Sequence, residues 1–84
     1  MQLDELRRRL EALGCNWDER RFEVGRGKYR SGVLITRKVT RTVRRHPPFF
    51  VDDVAIPVPR SFVEALCRSL DLDRDAVMDC GDSN

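Results

Sequence analysis

Leu3, Leu6, Leu10 and Leu13 recur at helical spacing, and Gly14 stands where a helix C-terminal cap would. The pattern predicts an opening helix, with Asp4 and Glu5 at the end where the helix dipole favours acids. Arg8 points away from the leucine stripe with Arg7 and Arg9 on its flanks, so the arginine triplet is expected to be a solvated helix face.

From Trp17 to Val58 the period shortens. Phe22 and Val24 alternate with charged residues as in a half-buried strand, and "GRGKYRSG" reads as a glycine-punctuated turn. "VLITRKVTRTV" has seven β-branched residues among eleven and is expected to be strand. Its alternation is imperfect, because Val39 and Val43 share parity with Arg41 and Arg45. Either a bulge lies near Arg37 and Lys38 or a hairpin turns there. His46, Pro47 and Pro48 are expected to form an extended loop. "FFVDDVAIPV" reads as a further strand, with Phe49 and Phe50 in the core and Pro57 at a sheet edge, where a missing ladder donor is tolerated.

Ser61 followed by Glu64 has the form of a capping box opening the helix "FVEALCRSL". Phe62, Val63, Leu66, Cys67 and Leu70 fill one broad face, with Glu64 and Arg68 opposite. Asp73 can cap a last short helix, through which Ala76 and Val77 close against the core. The order predicts a single α+β domain over residues 1–80, α-β-β-β-α with a three-stranded antiparallel sheet, a short C-terminal helix and a flexible tail over 81–84.

The chain of 84 residues has room for one small core and not for two lobes around a deep cleft. Its N-terminus lacks the apolar centre of a signal peptide, and no apolar run reaches the roughly 18 residues of a membrane span, so a cytoplasmic protein is expected. Cys15, Cys67 and Cys80 are too few and too scattered for a disulfide framework, and no Cys-x-x-Cys pair supports zinc; no cofactor is expected. Cys67 is read as a small core residue.

Charge changes the picture more. The net charge of +2 conceals a basic middle and an acidic end. Arg26, Lys28, Arg30, Arg37, Lys38, Arg41, Arg44 and Arg45 all fall within residues 26–46, which contain no acid, whereas residues 71–82 hold five aspartates against Arg74. Such a run meets successive phosphates and releases their counterions, and the planar arginine fork suits bidentate phosphate contact. Base-specific readout has no signature, which leaves recognition of backbone or shape.

Several phrases, in order, resemble the HicA (YcfA-like) family: "LEALGC", "VRRHP", "AIPVPR" and "FVEALCRSLDLDRDAV". The resemblance implies a fold similar to a double-stranded-RNA-binding domain, and the activity of a toxin ribonuclease paired with an antitoxin. The family's Gly-Ser-His element aligns with Val39, Thr40, Arg41 and Thr42, where no histidine stands. Arginine titrates above pH 12 and is a poor general base. His46 is the sole histidine. It is expected to be an exposed loop residue, and it is where any surviving cleavage would be sought, with Arg41, Arg44 or Arg45.

The expectation is therefore a small domain that binds RNA or other nucleic acid without nuclease activity. Lys28, Arg30, Arg37, Lys38, Arg41, Arg44 and Arg45 would meet the phosphates, with no catalytic or metal-binding residue. The alternative is a protein-interaction module, an antitoxin-bound partner or a phage-type inhibitor of a host defence complex, using the same patches.

Overall fold

The structure is a computed structural model and describes residues 1–78. The expected tail over 81–84, and the "CGDSN" segment as a whole, lie outside the described residues. The order is α1 (Leu3–Ala12), β1 (Cys15–Gly25), β2 (Lys28–Val39), β3 (Thr42–Phe50), a single 3-10 turn at Val51–Asp53, α2 (Arg60–Leu70) and α3 (Arg74–Met78). The strands form one antiparallel sheet in the order β1-β2-β3. The architecture is the expected α-β-β-β-α. Among the described residues no helix is long and apolar enough to cross a membrane.

The helices cover one face of this sheet. Leu6 and Leu10 from α1, Val63, Leu66, Cys67 and Leu70 from α2, and Val77 from α3 pack on Cys15, Trp17, Val33 and Ile35. Leu6, Leu10, Ile35, Leu66 and Leu70 are fully buried, and each contributes about 1.5–3 kcal/mol by leaving water. Ala76 stays exposed, so Val77 alone closes α3 on the core. Asp73 does cap α3, accepting the Asp75 N–H at 3.0 Å.

Register assigns every strand side chain to a face. Trp17, Ile35 and His46 are aligned across the three strands, as are Glu19, Val33 and Phe49, and Cys15, Arg37 and Arg44; these rows face the helices. The alternate rows form the open face: Asn16, Thr36 and Arg45; Asp18 and Leu34; Arg20, Gly32 and Phe50; Phe22 and Arg30; Lys38 and Val43.

Three expectations about the strands change. The turn after β1 is confined to residues 25–28, and Tyr29 to Gly32 belong to β2. "VLITRKVTRTV" is two strands, turning at Thr40 and Arg41 rather than at Arg37 and Lys38. Thr40 takes φ 55°, a left-handed position where glycine is usual, and the Thr42 hydroxyl donates to the Val39 carbonyl at 3.1 Å. The bulge between β2 and β3 lies elsewhere: Val33 pairs with Phe49 and Ile35 with His46, which leaves Pro47 and Pro48 opposite Leu34 alone. His46, Pro47 and Pro48 are thus part of β3 and not a loop. Two residues without an N–H are accommodated because β3 is an edge strand.

"FFVDDVAIPV" is not a strand. Phe49 and Phe50 end β3, the 3-10 turn follows, and the rest is irregular up to α2, with a cis bond before Pro57. The capping box is also absent. Pro59 is the N-cap of α2, no side chain caps the helix, and Glu64 is bonded instead to Arg74 at 2.8 Å.

Phe50 is also not in the core. Phe49 packs against the core, whereas Phe50 lies on the open face with Phe22, ring centroids 6.1 Å apart and edge to face. The Phe22 ring occupies the space above Gly32, where a Cβ would stand 2.6 Å from the ring and 3.0 Å from the Phe49 carbonyl oxygen. Glycine is required there by close approach. Gly32→Ala is expected to lower stability by about 1–3 kcal/mol through overpacking, and Phe22→Ala in the same chain should recover part of that loss. Urea denaturation of the two single variants and the double variant measures this directly.

Candidate nucleic-acid interface

The seven basic residues singled out by sequence fall into four environments. Lys28 sits in the first hairpin, ten residues along β2 from Lys38, so the two are about 33 Å apart at the rise of a strand. Arg30, on the open face, is paired with Asp53 at 3.0 Å and stacks over the Phe50 ring, 4.4 Å from its centroid. The Asp53 carboxylate, accepting a hydrogen bond, holds the Arg30 pKa above its ordinary value.

Arg37 and Arg44 point to the helix side. They stand directly opposite each other in the β2–β3 register, where two like charges repel. Both are turned onto the C-terminus of α2. Arg37 donates from one Nη to the Leu70 carbonyl at 3.0 Å and the Asp71 carbonyl at 2.7 Å, and Arg44 Nε donates to the Ser69 carbonyl at 3.3 Å. The last carbonyls of a helix lack intrahelical partners and carry the negative end of its dipole, so two cations are well placed there. Asp71 itself has φ 57°, the left-handed cap position, and Leu72 N–H closes the turn onto Cys67 at 2.9 Å.

Lys38, Arg41 and Arg45 remain. Among the described residues none of the three has an acidic partner or a side-chain hydrogen bond. Lys38 and Arg45 are diagonal neighbours on the open face, and Arg41 is at the hairpin tip. All three are exposed. The basic run is therefore one group of three free cations at one end of the sheet, with the two helix-capping arginines behind it.

The open face continues from this group towards Leu34, Phe50, Phe22, Arg20 and Arg30. Arg20 is bonded to Asp18 on the same strand. Phe22, Phe50 and Arg20 escaped the sequence reading. The signal for Phe22 was present in its parity with Arg20, but Phe50 could be assigned to this face only once the extra residue at Pro47–Pro48 was known.

His46 is not an exposed loop residue. It is half-buried in β3, edge to face with Phe49 and Phe62 at 6.3 and 6.1 Å, and its Nδ1 lies 2.9 Å from the Ser69 hydroxyl. Burial lowers its pKa, so the ring is neutral near pH 7. Arg9 on α1 likewise departs from a solvated face: it bonds to Glu5 and donates to the Val77 and Met78 carbonyls at 2.6 and 3.1 Å. Cys15 and Cys67 are buried thiols whose pKa values rise mainly by desolvation, which keeps them protonated and unreactive.

Comparison with protein families, with curated proteins and with solved structures returns no match for this chain.

The two kinds of arginine are separable by stability. Arg37→Ala strands two carbonyls at the α2 C-terminus and is expected to cost about 1–3 kcal/mol, whereas Lys38→Ala should stay within about 0.5 kcal/mol of the parent; chemical denaturation compares them. His46 adds a pH dependence. Its folded pKa lies below the unfolded value, so the unfolded chain takes up the proton first. Stability is then unaffected above about pH 6.5 and falls as the pH drops below it and through the folded value. The denaturation midpoint of His46→Gln should fall less over that window than that of the parent.

Proposed function

We propose that this domain binds RNA, or another nucleic acid, through the open face of its sheet and the β2–β3 hairpin, without reading sequence. The observation that carries this reading is the placement of Lys38, Arg41 and Arg45: three exposed cations, two of them diagonal neighbours in the register and one at the hairpin tip, without acidic partners among the described residues. A backbone lying across this end meets all three at once, and each contact releases counterion. Phe50 and Phe22 continue the path away from the hairpin and offer apolar ring surface to bases, with Arg30 already stacked on one ring.

Catalysis does not form part of the proposal. The single imidazole is packed between Phe49 and Phe62 and bonded to Ser69, and among the described residues the free cations have no base beside them. The order of phrases shared with HicA proteins is in keeping with an RNA ligand, while the missing Gly-Ser-His histidine is in keeping with binding alone. A protein with an acidic surface would meet the same three cations, and the dependence on salt and on ligand type separates the two.

The test is affinity for a short RNA single strand, an RNA duplex and a DNA duplex, read by fluorescence anisotropy over a salt series. With three phosphate contacts, log affinity against log salt should have a slope of about −2 for the single strand and about −3 for the DNA duplex. Lys38→Ala with Arg45→Ala should leave a slope of about −1 or less, and Lys28→Ala should leave it unchanged. Recovery of intact RNA afterwards identifies a binding domain. No binding at low salt overturns the proposal and redirects the search to a protein partner.

A further inference from the structure

The two edges of the sheet are built differently. On β3, Pro47 and Pro48 remove two donors and bulge the strand, both of which discourage a further strand from adding there. On β1 the irregularity in the pairing with β2, between Glu23 and Gly25, falls beside the first hairpin and leaves the rest of the strand regular. Its pairing with β2 is regular from Cys15 to Glu23, it holds no proline and no lysine, and its only glycine is its last residue. No strand pairs with its outer side among the described residues. An edge of this length is a template for another strand.

We propose that a second copy of this chain occupies the β1 edge, the two strands running antiparallel about a two-fold axis at Arg20. The two sheets then become one of six strands. Arg20 is the middle residue of β1, so this register pairs the regular run from Trp17 to Glu23 with the same run of the second copy. It also keeps side chains of like parity on the same face, as a continuous sheet requires.

The charges fit this register. Glu19 comes opposite Arg21 of the second copy, and by symmetry Arg21 opposite Glu19. Arg21 is exposed and has no acidic partner among the described residues. Among the described residues Glu19 is held by Arg7 alone, at 3.3 Å, with its side chain 63 % exposed. Opposite charges directly across a strand pair attract. The one like pair, Arg20 with its symmetry mate on the axis, is moderated because each Arg20 is bonded to its own Asp18.

Shape agrees with charge. The half of β1 under the helices contains the buried Cys15 and Trp17, while Arg20, Arg21, Glu23 and Val24 are exposed as the strand runs on to the first hairpin. An antiparallel pair centred on Arg20 sets each covered half beside the uncovered half of the other copy. The two helical layers thus lie diagonally across the joined sheet instead of side by side. An interface of one strand pair is small, so the dimer is a reversible one that dissociates on dilution.

The experiment is sedimentation velocity of the full chain over a dilution series, with Glu19→Arg and Arg21→Glu as separate variants. Each variant places like charges opposite each other at both symmetry-related positions, and each should weaken self-association by about tenfold or more. An equimolar mixture of the two variants restores both opposite-charge pairs and should associate as well as the parent. As a second readout, Arg20→Cys lies on the axis and should form a disulfide-linked dimer with oxidised glutathione, whereas Lys28→Cys should not. A parent chain that is monomeric at the highest concentration overturns the proposal. So do variants that dimerise like the parent, or an Arg20→Cys chain that stays monomeric.

Discussion

The last turn of α2 is held from below by three side chains of the sheet: Arg37 on the Leu70 and Asp71 carbonyls, Arg44 on the Ser69 carbonyl, and His46 beside the Ser69 hydroxyl. This grip answers two problems together. A helix C-terminus has carbonyls without partners, and a β2–β3 hairpin dense in arginine has cations without counter-charges. Turning Arg37 and Arg44 inward satisfies the first with the second, and it converts a repulsive cross-strand pair into a clamp. It also fixes where α2 sits, and with it Leu66, Cys67 and Leu70 over Val33 and Ile35.

The same clamp decides what is left for a ligand. Because alternate residues of a strand face opposite ways, fixing Arg37 and Arg44 towards α2 sends Lys38 and Arg45 to the open face, with Arg41 at the tip. A run of cations that looks uniform in sequence is thus divided by the pleat into a structural set and a free set. Arg30 joins neither, being paired with Asp53 and stacked on Phe50. Lys28 is separated from the hairpin end by most of the length of β2.

The helices were legible in the sequence because their signals are local. The leucine period of α1, the apolar face of α2 and the Asp73 cap of α3 each depend on neighbours within a turn or two. The strands were legible as β-structure but not in their limits. The turn at Thr40 and Arg41 contains no Gly, Pro, Asn or Asp, and a β-branched residue occupies the left-handed position, so the usual punctuation is missing. Conversely, Pro47 and Pro48 are strong loop signals that the edge position and the bulge absorb into β3. That single extra residue also turns Phe49 inward and Phe50 outward, where the sequence gives no reason to separate two adjacent phenylalanines read together as core. Of the site, the sequence showed which residues are basic; which of them are free depended on register and on the α2 C-terminus, neither of which is a local property.

The free cations and the open aromatic pair are proposed to form one surface. The most direct test is an NMR titration of the labelled protein with a short single-stranded RNA. Arginine Nε–Hε and phenylalanine ring signals are followed, since these report faces separately where backbone amides do not. One shared surface predicts shifts at Arg41, Arg45, Phe50 and Phe22, with Arg37 and the outward Arg8 and Arg68 unmoved. Shifts confined to Arg8, Arg60 and Arg68 would place the ligand on the helical side and contradict it.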